Sequence, residues 1–137
     1  MLIEFPIEFL VHGTPVSFQS GHALSKTLWK TRVRNASNSA LPSPHFASQD
    51  RIAITLFYLP EEEMEGDLDN IVKLILDALN QHIYIDDRQI ERIVVQKFEP
   101  GNVFGFTNPT DILLDALTGS TPVLYVRIST DPFEDLQ

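Results

Sequence analysis

The segment DNIVKLILDALNQH, residues 69–82, sets Ile71, Leu74, Ile75, Ala78 and Leu79 at helical spacing, with Lys73 and Asp77 outside that stripe. A stripe of this kind commits the segment to a helix that buries one face against another layer. Its flanks narrow the choice. RIAITLFYLP (51–60) alternates, with Ile52, Ile54, Leu56 and Tyr58 on one face, and IERIVVQKF (90–98) carries several β-branched residues. Both read as strands. Asp69 is placed as the helix N-cap and Asn80 at its C-terminus. Between helix and second strand, IYI (83–85) reads as a short strand and DDRQ (86–89) as a turn, a hairpin-like pair around Asp87.

The remaining chain extends the pattern. LIEFPIEFLV (2–11) predicts a strand in which Pro6 marks an edge position or a bulge. A turn-rich connector (12–21) precedes HALSKTLWKTRVR (22–34), an amphipathic helix with Ala23, Leu24, Leu28 and Trp29 available for one face and Lys26, Lys30 and Arg34 recurring every fourth residue on another. NASNSALPSPHFAS (35–48) is a proline-punctuated loop and EEEMEG (61–66) an acidic one. NPTDILLDALTG (108–119) predicts a short helix between Asn108, with Pro109 in the first turn, and Gly119; TPVLYVRIS (121–129) predicts a strand, and 130–137 a frayed tail. Mixed helices and strands with no internal repeat imply one α+β domain over residues 1–137, a mixed sheet packed with two to three helices.

Charge and composition exclude several classes. There is no cysteine, hence no disulfide framework, thiolate zinc site or thiol nucleophile. The N-terminus has no basic leader and no apolar run is long enough for a bilayer, so a cytoplasmic protein without membrane association is expected. His12, His22, His45 and His82 share no ligand spacing, His82 being placed to meet the helix carbonyls, and no glycine loop for a nucleotide cofactor is present. The net charge of −9 is unevenly distributed: residues 9–49 carry Lys26, Lys30, Arg32 and Arg34 and no acid, whereas residues 50–137 carry seventeen acids against six bases. A basic segment beside an acidic cluster suits an enzyme that holds phosphate and metal together, and equally an uneven solvated surface.

The acidic cluster is Asp67, Asp69, Asp86 and Asp87. If residues 66–69 are extended, Asp67 and Asp69 point the same way, and Lys73 sits one turn further on the Asp69 side. A short strand returning antiparallel to the helix would bring Asp86 and Asp87 back toward them. Converging carboxylates form a hard-oxygen site for Mg²⁺ or Mn²⁺, with Lys73 available to phosphate charge. Taken singly, each element has an ordinary structural reading: a helix cap, an exposed i,i+4 ion pair, a turn. Their joint occurrence favours function.

DLDNIVKLILDALN followed by YIDDRQI and VVQK closely resembles the signature of the RusA family of Holliday-junction resolvases: Asp-x-Asp-Asn, a lysine three residues later, Asp-Ala-Leu in the same helix, then Asp-Asp-x-Gln. The strong similarity covers residues 65–98, and GTPVSFQS (13–20) is similar to the family's early proline loop. The resemblance implies a dimeric Mg²⁺-dependent endodeoxyribonuclease that binds branched DNA and resolves four-way junctions by paired nicks in recombination and repair. Asp67, Asp69 and Asp87 would be the essential metal carboxylates, Asp86 an accessory ligand, and Lys73 the catalytic lysine. Lys26, Lys30, Arg32, Arg34 and Arg88 are the candidate DNA contacts, Arg88 having Glu91 and Asp86 as alternative partners. Two features depart from the family pattern, the acidic net charge and the 108–119 segment. The rival readings are a nuclease of the same fold with another nucleic-acid substrate, and a catalytically silent binding module.

Overall fold

In the computed structural model, residues 1–102 and 104–134 are described. Among them the chain forms strands β1 (Ile7–His12), β2 (Ile52–Leu59), β3 (Ile90–Lys97) and β4 (Val123–Ser129), and helices α1 (Ala23–Ser37), α2 (Val72–Leu79) and α3 (Asp111–Thr118). The sheet has the order β1-β4-β2-β3; β4 lies antiparallel to β1 and β2, and β3 runs parallel to β2. This is the expected α+β arrangement with a mixed sheet.

One face of the sheet carries α1 and α2. Ile52, Ile54, Leu56 and Tyr58 project together from β2, as their alternation predicts, and meet Ile71, Leu74, Ile75, Ala78 and Leu79 of the helical stripe. Full burial of side chains such as Ile75 and Leu79 contributes about 1.5–3 kcal/mol each. The face α1 buries differs from the expected one. Trp29, Val33 and Ser37, spaced by four, are buried, while Leu24 and Leu28 are exposed. A tryptophan and a valine separated by one turn remove more apolar surface than the two leucines they displace. Lys26 and Lys30 are half-buried beside that face, and Arg34 is exposed.

The second face holds a smaller cluster. Leu113 and Ala116 of α3 pack on Leu59, Val123 and Tyr125, with Phe57, Phe98 and Phe106 around them. The Phe57 and Phe98 rings meet edge to face with centroids 5.3 Å apart. α3 starts later than expected: Thr110 is its N-cap, accepting from the Leu113 amide at 3.2 Å, and Asn108 and Pro109 precede it. The tail is tied down as far as Glu134, which receives a bidentate Arg127 guanidinium at 3.2 and 3.0 Å; the frayed-tail expectation for 135–137 lies outside the described residues.

The helix–strand connection also departs from expectation. α2 ends at Leu79 because Asn80 turns extended and Gln81 adopts φ 62°. The Gln81 amide then donates to the Tyr84 carbonyl at 2.6 Å, closing a tight turn. Ile83 and Tyr84 are therefore buried at the end of α2, Tyr84 meeting Ser48 and Asn80 through isolated bridges, and IYI is not a strand. β3 has no hairpin partner at 83–85. It pairs instead with β2 through a β2–α2–β3 crossover, the connection that parallel neighbours require.

Candidate active site

Asp67 is extended (φ −95°, ψ 141°) ahead of a 3-10 turn, Leu68–Ile71, that leads into α2. Asp69 sits inside that turn rather than at the helix N-cap, and neither end has a side-chain cap. Both carboxylates are exposed. Asp67 and Asn70 border a cleft of about 430 Å³ together with Thr14, Ser17, Tyr58 and the acidic residues 61–65. Two contacts fix its walls. The Phe18 amide donates to the Asn70 carbonyl at 2.8 Å, holding the 13–20 loop, and the Met64 amide donates to Glu99 Oε2 at 2.7 Å, holding the acidic loop.

Lys73, in the first turn of α2, points along the helix. Its Nζ donates to Asp77 Oδ1 at 2.6 Å and lies 3.8 Å from Asp87 Oδ2. The bond to Asp77 raises the lysine above its ordinary pKa, with the charge of Asp87 adding to it, so the ammonium stays protonated. The other oxygen of Asp87, Oδ1, is buried and has no hydrogen-bond partner. A carboxylate oxygen in that condition is costly unless something cationic or protic completes it.

Gln89 shapes the Asp86–Asp87 turn. Its Oε1 accepts from the amides of Ile85 and Asp86 at 2.8 and 2.9 Å, and its Nε2 donates to the carbonyls of Ser48 and Asp50, both at 2.8 Å. With Asp86 accepting from the Arg88 amide at 3.1 Å, this makes a capping box over Asp87–Gln89. Arg88 folds back on Asp86, with Nη2 3.1 Å from Oδ2, and the two bonds hold that carboxyl below its ordinary pKa. Asp86 is thus occupied by Arg88 in this conformation. Tyr84, wholly buried, donates its hydroxyl to the Leu76 carbonyl at 2.7 Å and fastens the turn to α2.

The four aspartates do not meet at one point. Among the described residues no group of three or more His, Asp or Glu side chains is arranged to hold a metal ion. The expected antiparallel return does not form, since residues 83–85 are not a strand, and Asp87 arrives beside Lys73 and Asp77 instead. Asp77, left out of the site in the sequence reading, is the lysine's closest partner; its signal was its position four residues after Lys73. Of the basic residues, Arg32 donates to the His12 carbonyl at 3.2 Å, and Lys26, Lys30 and Arg34 lie on α1.

A family model described as endodeoxyribonuclease RusA matches residues 24–104, the span from α1 through β3. The chain belongs to the RusA family of endodeoxyribonucleases. The match contains every residue of the Asp67–Gln89 constellation and leaves β1, α3 and β4 outside it. No curated protein matches the chain. RusA membership makes the protein an endodeoxyribonuclease, an enzyme that hydrolyses phosphodiester bonds in DNA.

Proposed function

We propose that this protein is a Mg²⁺-dependent, homodimeric endodeoxyribonuclease that resolves four-way DNA junctions, with Mn²⁺ able to replace Mg²⁺. The observation that carries the reading is the buried, unpartnered Asp87 Oδ1 beside the Lys73 ammonium. Carboxylate oxygen suits a hard divalent cation, and the family signature makes Asp67, Asp69 and Asp87 the residues that would hold it, with Asp86 accessory after release from Arg88; among the described residues they are not gathered into a metal-binding group. The bound ion supplies positive charge at the scissile phosphate and acidity to the attacking water.

The chain's own residues do the rest. Lys73, kept charged and aimed by Asp77, stabilises the charge that develops on the phosphate oxygens. Gln89 and Tyr84 hold the Asp86–Asp87 turn at a fixed height on α2. Lys26, Lys30 and Arg34 draw the flanking backbone onto α1, while the acidic loop 61–63 repels duplex that approaches the cleft from its other wall. Two copies of the site related by a two-fold axis match the two-fold symmetry of a junction.

The test is cleavage of a labelled mobile four-way junction beside a linear duplex of the same sequence, in Mg²⁺, Mn²⁺ and EDTA, with Asp69→Asn for comparison. Symmetric metal-dependent nicks confined to the junction and lost in the variant are expected. Nicking without junction preference would make it a nuclease of other nucleic-acid structures, and junction binding without cleavage in either metal would make it a binding module.

A further inference from the structure

β3 is a sheet edge of eight residues: in the order β1-β4-β2-β3 one side is hydrogen-bonded to β2 and no strand among the described residues borders the other. An edge of this length is a template for another strand. The Phe98 amide donates to the Tyr58 carbonyl at 2.8 Å. By alternation, Arg92, Val94 and Gln96 also turn their backbone groups to β2, and Ile93, Val95 and Lys97 turn theirs to the open side. Ile93 is 43% exposed there, a β-branched apolar side chain on the helical face of the sheet.

We propose that this open edge pairs antiparallel with the same edge of a second copy, about a two-fold axis through Val94, so that two four-stranded sheets become one. The inference rests on the homodimer in the proposed function and specifies its interface. In this register Ile93 and Val95 of each copy face Val95 and Ile93 of the other as hydrogen-bonded pairs, using groups already turned outward. Glu91 of each copy falls opposite Lys97 of the other. Each of these charges has an intrachain partner, the exposed Arg51 at 3.0 Å from Glu91 and the half-buried Glu99 at 3.5 Å from Lys97, so pairing builds an alternating row of charges. Neighbouring registers lose this match. Moving the axis to Ile93 sets Glu91 against Val95, and moving it to Val95 sets Glu91 against Glu99 and Ile93 against Lys97. A two-fold axis perpendicular to the sheet also leaves both α1–α2 layers, with both Lys73–Asp87 sites, on the same side of the joined sheet, where one DNA molecule can reach both.

The chain has no cysteine of its own, which makes a single introduced thiol a clean probe. Val94→Cys stands opposite its own copy in a non-hydrogen-bonded pair, with Cα atoms about 4.5 Å apart, a separation a disulfide can bridge. Gln96→Cys stands about 13 Å from its copy, too far to bridge. Oxidation of the two variants, with sedimentation of the wild type, is therefore expected to give a wild-type dimer that Val94→Cys locks covalently and Gln96→Cys does not. As an independent variant, Glu91→Lys raises the dimer dissociation constant roughly tenfold, and adding Lys97→Glu restores it. A dimer that Val94→Cys fails to lock overturns this interface and leaves the dimeric nuclease standing. A wild type that sediments as a monomer overturns both.

Discussion

The Lys73 ammonium stands 3.8 Å from Asp87 although thirteen residues separate them in the chain. The approach depends on α2 ending early, at Leu79, and on a turn that buries Ile83 and Tyr84 before Asp87 is reached. The pair joins the two halves of the RusA signature in space, and predictions about activity follow from what holds each member in place.

Lys73→Met removes the charge that faces the phosphate and leaves Asp77 and Asp87 without their shared cation. Single-turnover cleavage of a four-way junction is expected to fall about 10²–10³-fold, the usual loss when a charge-stabilising donor is removed. Junction affinity measured by gel shift should change far less, since the proposed backbone contacts lie on α1.

Gln89→Glu keeps the acceptor for the Ile85 and Asp86 amides but removes the amide donors to the Ser48 and Asp50 carbonyls, and sets a carboxylate against them. Loss of two such bonds with unsatisfied partners costs about 2–4 kcal/mol in urea unfolding. Cleavage should fall further than stability explains, because the same bonds place Asp87. Equal activity per folded molecule would show that Gln89 is structural only.

The His82 amide donates to the Leu79 carbonyl of α2 at 3.1 Å, as its position in the chain predicts, but its ring turns elsewhere. Its ring meets Ser37 Oγ at 3.0 Å and stacks edge to face on His45. Burial, followed by the charges of Arg34 and His45, pushes its pKa down from 6.5 to about 4. Between those values the unfolded chain binds the proton and the folded one does not, so stability rises with pH from about 4 to 6.5 and is lost as the solution is acidified through that window. Thermal unfolding at pH 7 and pH 4.5 should show a smaller drop for His82→Gln than for the wild type.

Ile75 is fully buried between α2 and the sheet. Ile75→Ala is expected to cost about 2–5 kcal/mol in chemical denaturation, through lost burial and the cavity left behind. Leu28→Ala, on the exposed side of α1, should stay within about 0.5 kcal/mol of wild type. Were the α1 face the one that the leucines in the sequence indicate, the second change would be the costly one.

That contrast shows where the sequence was legible. The stripe of α2 and the alternation of Ile52, Ile54, Leu56 and Tyr58 in β2 name the faces that meet, while Phe57 and Leu59 of β2 pack on the opposite face of the sheet. In α1 the apolar residues fall on two sides, and periodicity alone does not choose between Leu24–Leu28 and Trp29–Val33. The choice was made by the partner surface, which accommodates the indole and the valine together.

The sequence by itself determined the α+β class, β2, α2 and β3 as elements, and the family, since these rest on local periodicity and on residue identities at set intervals. Tertiary structure decided which side chains meet. β3 joined β2 in parallel rather than folding back as a hairpin, because a buried turn at Ile83–Tyr84 replaced the short strand that a hairpin needs. The same turn brings Asp87 to the Lys73 ammonium, while the aspartates are not gathered into a metal-binding group among the described residues. Spacing along a chain fixes which face of an element a carboxylate occupies, but the distance between carboxylates on different elements is set by how those elements pack.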